Sequence, residues 1–295
     1  MDDYFNYIDH NSIKLAELAT EIGDYSCAIE HYSKAIDRLH SYQGDRTAPI
    51  AMASRFIQQI KELNSKISFG REILKYDSWK LSKTAFIKGN QCIKYLYLDK
   101  FKKTERTPFS KEKENLFKEG HSFEAWVRET EFPDGINIKD KVGHFAYFNA
   151  YTNYLINQAQ KQIIYEASII ENEVLVMCDI LIKQENGHID IYEIKNNTAL
   201  KDVFKTDLAL QYAICKKRFN DKLNSFNIIL RNDYESRNWK IIDLSSDLEK
   251  QTAEVNLKIE ALKSVLKKDE PQIYMGLHCY NPYQCEFIEY CQKKC

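Results

Sequence analysis

The chain has 295 residues, of which 44% are hydrophobic and 29% charged, and this composition excludes a wholly disordered protein. Its 42 basic and 43 acidic residues nearly cancel, so any binding to nucleic acid must come from a local concentration of charge. No apolar run approaches the roughly 18–20 residues that span a bilayer, and the acidic start is unlike a signal peptide. We therefore expect a cytoplasmic protein that does not contact membranes.

The first segment of the chain, residues 1–70, is predicted to form a helical extension. Apolar residues recur there at helical spacing, with a break at Gly23-Asp24, where glycine can end one helix and aspartate can cap the next. Another amphipathic run follows Pro49. Residues 23–35 resemble part of a tetratricopeptide repeat or of a three-helix hairpin. Two interpretations stay open: a helical bundle packed on the main domain, or a module that binds a protein partner.

The next segment, residues 71–120, is basic. It contains 13 basic and 7 acidic residues, a net charge of +6, and aromatic residues are interleaved with the lysines. This mixture suits a nucleic-acid backbone with stacked bases, although runs of charge also occur on ordinary solvated faces. Lys83, Lys88 and Lys94 are the candidate contacts to nucleic acid.

The hydrophobic period changes from helical to alternating beyond residue 160. Strands are predicted over residues 162–170, 173–182, 188–195, 226–230 and 239–244, with a turn at Asn186-Gly187. Helices are predicted over residues 200–219 and in one long segment that Ser245 or Ser246 caps. The order of elements indicates an α/β core with helical flanks.

Charged residues in two of these apolar strands are the strongest chemical signal. Residues two apart on a strand share a face, so Glu193 and Lys195 point the same way while Ile194 turns into the core. Asp179 interrupts the preceding strand and can lie beside Glu193 across the hairpin. Two carboxylates with a neighbouring lysine can form an oxygen-ligand site for Mg²⁺. A salt bridge at the end of a hairpin is the structural alternative.

The pattern Cys178-Asp179, fourteen residues, then Glu193-Ile194-Lys195 resembles the core motif of the PD-(D/E)XK nuclease superfamily, and specifically its RecB-like branch. The neighbouring segments that also resemble this branch are residues 81–98, 120–124, 165–167, 201–212 and 278–287. The resemblance covers residues 80–291 and implies a restriction-endonuclease-like fold, a central mixed sheet flanked by helices, over residues 71–295. Cys178 stands in place of the usual proline, and Ile93 replaces the proline expected after Cys92.

The resemblance implies a Mg²⁺- or Mn²⁺-dependent deoxyribonuclease that leaves 5′-phosphate and 3′-hydroxyl ends. Asp179, Glu193 and the Ile194 carbonyl would hold the metal, and Lys195 would position the attacking water. The residues with further implied roles are Gln211 near the active site and Glu124 and Glu166 as additional metal ligands. Glu124 and Glu166 can equally be solvated, and Tyr212 adjoins Gln211 rather than following it by a turn. A catalytically inactive scaffold that binds a protein, or an RNase, stays an alternative, and a role in phage defence or repair is an analogy with the branch.

Four of the eight cysteines fall in the last 17 residues: Cys279, Cys285, Cys291 and Cys295. Their spacing does not match ordinary zinc knuckles. Several RecB-like nucleases join one cysteine before the core to three after it around a 4Fe–4S cluster, which implies Cys92, Cys279, Cys285 and Cys291 as ligands here. Zinc, or thiols without any metal, are the alternatives.

Overall fold

A computed structural model describes residues 3–67, 79–107, 122–142, 145, 148–233, 235 and 238–294. The chain divides into two compact units. The helical unit comprises Met1–Asp77 and Asn137–Asn157, and the α/β unit comprises Ser78–Ile136 and Gln158–Cys295. The predicted division of the chain at residue 70 does not include the return of residues 137–157 to the helical unit.

The helices are, in chain order, α1 (His10–Ile22), α2 (Tyr25–His40), α3 (Thr47–Ile67), α4 (Lys83–Gln91), α5 (Ile93–Phe101), α6 (residues 122–131), α7 (Ile138–Lys141), α8 (Phe148–Ile156), α9 (Asp202–Phe219), α10 (Ser245–Glu249), α11 (Thr252–Val265) and α12 (Ile288–Lys294). The strands are β1 (Leu81–Ser82), β2 (Ile136–Asn137), β3 (Gln162–Glu171), β4 (Val174–Lys183), β5 (Ile189–Lys195), β6 (Leu223–Arg231) and β7 (Trp239–Asp243). Within the described residues, no helix is long and apolar enough to cross a membrane.

The predicted break between the first two helices is confirmed. Gly23 adopts a left-handed φ of 86°, which glycine tolerates without a steric penalty, and it ends α1. The Asp24 side chain then accepts a hydrogen bond from the Cys27 backbone N–H at 3.0 Å and caps α2. In the helical unit α2 packs against both α1 and α3, so an N-terminal helical segment is present.

The α/β unit is built on a mixed sheet in the order β2-β3-β4-β5-β6-β7, with β1 paired to β4. The predicted hairpin at Asn186-Gly187 is confirmed, since β4 and β5 pair antiparallel and Gly187 adopts a φ of 85° in their turn. β3 also pairs antiparallel with β4. β5 and β6 pair parallel because α9 connects them. The observed bounds of these strands differ from the predicted ones by at most three residues.

Helices cover opposite faces of β5. On one face, Phe123 and Val127 of α6 pack with Ile194 of β5. On the other, the side chain of Glu193 lies near Asp207 of α9, because a lysine contacts both carboxylates. The alternation of side chains along β5 therefore buries an apolar residue under α6 and presents its charged neighbours to α9.

The prediction of one long helix after Ser245 is wrong. The segment forms two helices, α10 and α11, separated by Lys250 and Gln251. Leu244 occupies the N-cap position of α10 without a side-chain hydrogen bond, and the Ser245 hydroxyl accepts a hydrogen bond from the Phe226 backbone N–H at 2.9 Å. The serine thus joins the helix start to strand β6.

Candidate active site

A gap in strand pairing along one edge of β4 creates the site. β1 pairs parallel with the start of β4, up to Ser82 opposite Leu175, whereas β5 pairs with β4 only from Ile180 onward. Asp179 lies in the gap between the two partners. β1 runs towards this gap and β5, being antiparallel to β4, ends beside it. Two chain segments therefore deliver their last residues to Asp179 from opposite directions.

The alternation of side chains along β4 is broken at Asp179. Cys178 and Ile180 should share a face, yet Cys178 contacts Cys215 of α9, with 3.7 Å between the sulfurs, while Ile180 packs with Phe123 of α6. At the break, Asp179 Oδ2 accepts a hydrogen bond from the Ile194 backbone N–H at 2.7 Å. The register of β4 and β5, continued by one residue, sets Asp179 opposite Glu193, as the sequence predicts.

Glu193 is the centre of a buried ionic cluster. Its side chain is fully buried, and its Oε1 lies 2.6 Å from Lys195 Nζ and 3.0 Å from Lys83 Nζ. Asp207 of α9 is the second anion, with Oδ2 at 3.1 Å from Lys195 Nζ and Oδ1 at 3.5 Å from Lys83 Nζ. Two carboxylates thus alternate with two ammonium groups, which compensates the cost of burying each charge.

The two predicted metal-binding carboxylates differ in their ionisation. Burial, reinforced by the nearby charge of Glu193, raises the pKa of Asp179 well above its ordinary value. Burial also opposes ionisation of Glu193, but the attraction of Lys195 and Lys83 outweighs it and lowers the pKa of Glu193 to about 2. The same carboxylates raise the pKa values of both lysines against the opposing effect of burial. The two amines are therefore held as ammonium ions.

Two buried oxygen atoms near this cluster lack hydrogen-bond partners among the described residues: Glu193 Oε2 and Gln211 Oε1. Gln211 is fully buried, and its Nε2 donates to Asp207 Oδ1 at 3.2 Å, which places it beside the cluster. Buried oxygens without partners are costly, and a divalent cation is one partner that would satisfy them. The oxygen-rich donor set fits Mg²⁺ or Mn²⁺, although the described part of the chain contains no group of three or more His, Cys, Asp or Glu side chains arranged to hold a metal.

The additional predicted ligands, Glu124 and Glu166, gather around Arg128 of α6. The Arg128 guanidinium forms ion pairs with both carboxylates, at 3.2 Å from Glu166 Oε1, and donates to the Asp179 carbonyl at 2.9 Å. Glu166 lies opposite Asp179 in the β3–β4 register and adopts a left-handed φ of 56°. Arg128 therefore neutralises the charges of both glutamates beside the site.

All three lysines predicted to contact nucleic acid form ion pairs within the protein, Lys83 with Glu193 and Asp207 and the other two with carboxylates elsewhere. Lys88 is buried and pairs with Asp99 at 2.7 Å and with Glu286 at 3.0 Å. Lys94 is also buried and lies 3.5 Å from Glu270. Both lysines form ion pairs that join the α4–α5 region to the C-terminal segment. The structure therefore does not support them as nucleic-acid contacts.

The four cysteines predicted as cluster ligands line one small cavity: Cys92 between α4 and α5, Cys279, Cys285 and Cys291. Its volume of about 20 Å³ is little more than a single water molecule needs, so a cluster would require these side chains to move apart. Burial, together with the neighbouring cysteines, raises the pKa of the Cys285 thiol to about 12. Cys295 lies outside the described residues.

The structure adds three residues to the predicted site. Lys83 was expected to contact nucleic acid but instead contacts Glu193 and Asp207. Asp207 carries a sequence signal, because it precedes Gln211 by one helical turn and so shares its face of α9. Arg128 carries no such signal, since its position depends on the packing of α6 on the sheet.

Comparisons with known proteins do not assign a family. No protein-family model matches this sequence, and no curated protein matches it. Among solved structures, the chain in "Crystal structure of SSO0001" aligns with 83% of this chain and 98% of its own length, at 14% sequence identity and a TM-score of 0.30. That likeness is too distant to assign a fold or an activity.

Proposed function

We propose that the α/β unit is a metal-dependent nuclease of the restriction-endonuclease-like fold that hydrolyses phosphodiester bonds in DNA. The observation that carries the proposal is the convergence of Asp179, Glu193 and Lys195 at the gap in strand pairing, where a buried Glu193 oxygen has no hydrogen-bond partner within the part of the chain that the structure describes. A salt bridge alone would explain Glu193 Oε1, but it does not explain why an aspartate with an elevated pKa lies half-buried in the gap, with its Oδ2 accepting a hydrogen bond from the backbone N–H of Ile194.

The metal would be held by Asp179, Glu193 and the Ile194 carbonyl. A divalent ion bound there would polarise a phosphoryl oxygen of the substrate and lower the pKa of a bound water molecule. Lys195 and Lys83 stay protonated, so they donate hydrogen bonds and do not act as bases. Lys195 orients the attacking water, and Asp207 fixes the direction of its ammonium group. Gln211 is held beside the ionic cluster by the hydrogen bond that its Nε2 donates to Asp207.

The test is incubation of the purified protein with plasmid DNA and a linear single strand in Mg²⁺, in Mn²⁺ and in EDTA. We expect cleavage with either metal and none in EDTA, with 5′-phosphate and 3′-hydroxyl ends. An RNA strand of the same sequence, under identical salt, distinguishes a DNase from an RNase. Absence of cleavage of every substrate in both metals would favour a scaffold that binds a protein partner through the helical unit.

We also propose that the four cysteines hold a structural metal centre that joins the α4–α5 region to the C-terminal segment. The ion pairs of Lys88 and Lys94 already connect these segments, and Gln91 donates hydrogen bonds to the backbone carbonyls of His278 and Tyr283, both at 2.7 Å. Because burial disfavours a free thiolate at Cys285, ionisation of the group would be coupled to binding of a cation.

Metal analysis and visible spectra of protein purified without oxygen test this centre. We expect a bound 4Fe–4S cluster, or zinc as the alternative, in the wild type and its loss in the Cys92→Ala and Cys285→Ala variants. Cys27→Ala is the matched control, because Cys27 is also buried but lies in the helical unit. Wild-type protein without iron or zinc, or equal metal content in all variants, would contradict the proposal.

A further inference from the structure

A second cavity, which is lined mainly by polar atoms, lies beside the start of α4. Its volume is about 140 Å³, and its walls include Trp79, Lys80, Ser82, Lys100 and Lys103. This is larger than the cysteine cavity and large enough for a phosphate group with part of its sugar. None of these residues belongs to the ionic cluster around Glu193.

The cavity has an excess of positive charge. Asp99 is the carboxylate on its wall, but Lys88 and Arg106 both pair with that carboxylate. Lys80 pairs with Glu173. Lys100 and Lys103 are exposed, and no carboxylate of the described residues pairs with either. Two cationic side chains are thus available to an anion in the cavity.

The cavity is close to the ionic cluster along the chain. Ser82 lines the cavity, and the next residue, Lys83, reaches Glu193 Oε1 at 3.0 Å. Consecutive Cα atoms are ~3.8 Å apart and a lysine side chain extends ~6 Å, so the Ser82 Cα is within ~13 Å of Glu193. DNA carries one phosphate per ~3.4 Å of rise along each strand. A strand with a phosphate at the cluster therefore has another phosphate within about four nucleotides that can reach the cavity.

We propose that this cavity is a phosphate-binding subsite for the substrate strand, and this inference rests on the proposed nuclease function. Lys100 and Lys103 bind the phosphate oxygens, and Ser82 and Lys80 also line the cavity. Trp79 provides an aromatic surface for the adjoining sugar or base. The subsite sets the register of the strand by holding a phosphate a few nucleotides away from the bond that is cleaved.

The test is equilibrium binding of a labelled single strand in EDTA, in the Asp179→Asn background, so that no cleavage takes place. We expect the K100E/K103E variant to bind at least ~10-fold more weakly and to show a salt dependence shallower by about one unit in the log–log slope. The matched control is K217E/K222E, which reverses the charge of two exposed lysines at the far end of α9. We expect less than ~2-fold weakening for the control.

Equal weakening by the two variants, or unchanged binding by K100E/K103E, would overturn the subsite. A strand with a 5′-phosphate and a matched strand with a 5′-hydroxyl distinguish the source of the phosphate: equal losses assign the cavity to an internal phosphodiester, and a loss confined to the first assigns it to a strand end. Because the binding is measured without metal or turnover, failure of the subsite is distinct from failure of the nuclease proposal, which the cleavage assay decides separately.

Discussion

Replacement of Asp179 by Asn is expected to reduce DNA cleavage by about 10³-fold, equivalent to ~4 kcal/mol of transition-state stabilisation. The variant keeps an oxygen that can accept the hydrogen bond from the Ile194 backbone N–H, so the contact between β4 and β5 at this position is retained. It removes the negative charge that the proposed metal requires. The measurement is the single-turnover rate of cleavage in Mg²⁺ and Mn²⁺.

The same variant is expected to be at least as stable as the wild type. The pKa of Asp179 is raised, so its ionisation costs stability above the ordinary carboxyl pKa, and a neutral Asn avoids this cost. Loss of activity with unchanged or increased resistance to urea would therefore locate the defect in chemistry. Cleavage at the wild-type rate by pure Asp179→Asn protein would end the proposed role of this residue.

Replacement of Glu193 by Gln is expected to abolish cleavage and, unlike the first variant, to destabilise the α/β unit by ~3–5 kcal/mol. Glu193 is fully buried and compensates two lysines, so its loss leaves Lys195 and Lys83 to share Asp207 alone. The measurement is urea unfolding followed by tryptophan fluorescence, since Trp79, Trp126 and Trp239 all belong to the α/β unit.

A second substitution makes this prediction specific. The double variant Glu193→Gln, Lys83→Met removes the surplus ammonium group, and we expect it to recover much of the lost stability without recovering activity. Purely additive losses in the double variant would show that the two side chains do not interact. Full stability of the single variant would contradict the assignment of Glu193 as the centre of the ionic cluster.

Local patterns explain why the sheet and its hairpins could be predicted from the sequence. Alternating apolar residues and the Asn186-Gly187 turn fix β4 and β5 within a residue, and that register places Asp179 opposite Glu193. The role of Ser245 could not be predicted, because its hydroxyl accepts a hydrogen bond from the Phe226 N–H of strand β6, nineteen residues earlier in the chain. Such a tertiary contact leaves no periodic signal.

The roles of the basic residues were the least predictable part of the site. Lys83, Lys88 and Lys94 look alike in the sequence, since each is a lysine among aromatic residues of a basic segment. The fold separates them: Lys83 follows β1 into the gap beside Asp179, whereas Lys88 and Lys94 meet acidic partners more than 170 residues later. Charge density alone does not distinguish a lysine in an internal ion pair from one that faces a ligand.

Mn²⁺ titration followed by electron paramagnetic resonance tests the central claim most directly, because it reports metal binding without depending on the choice of nucleic-acid substrate. We predict one bound Mn²⁺ per chain in the wild type, its loss in Asp179→Asn, and its retention in Lys195→Met, which keeps both carboxylates but lacks the ammonium group beside them. Equal Mn²⁺ binding by the wild type and Asp179→Asn, or no binding by the wild type, would contradict the account.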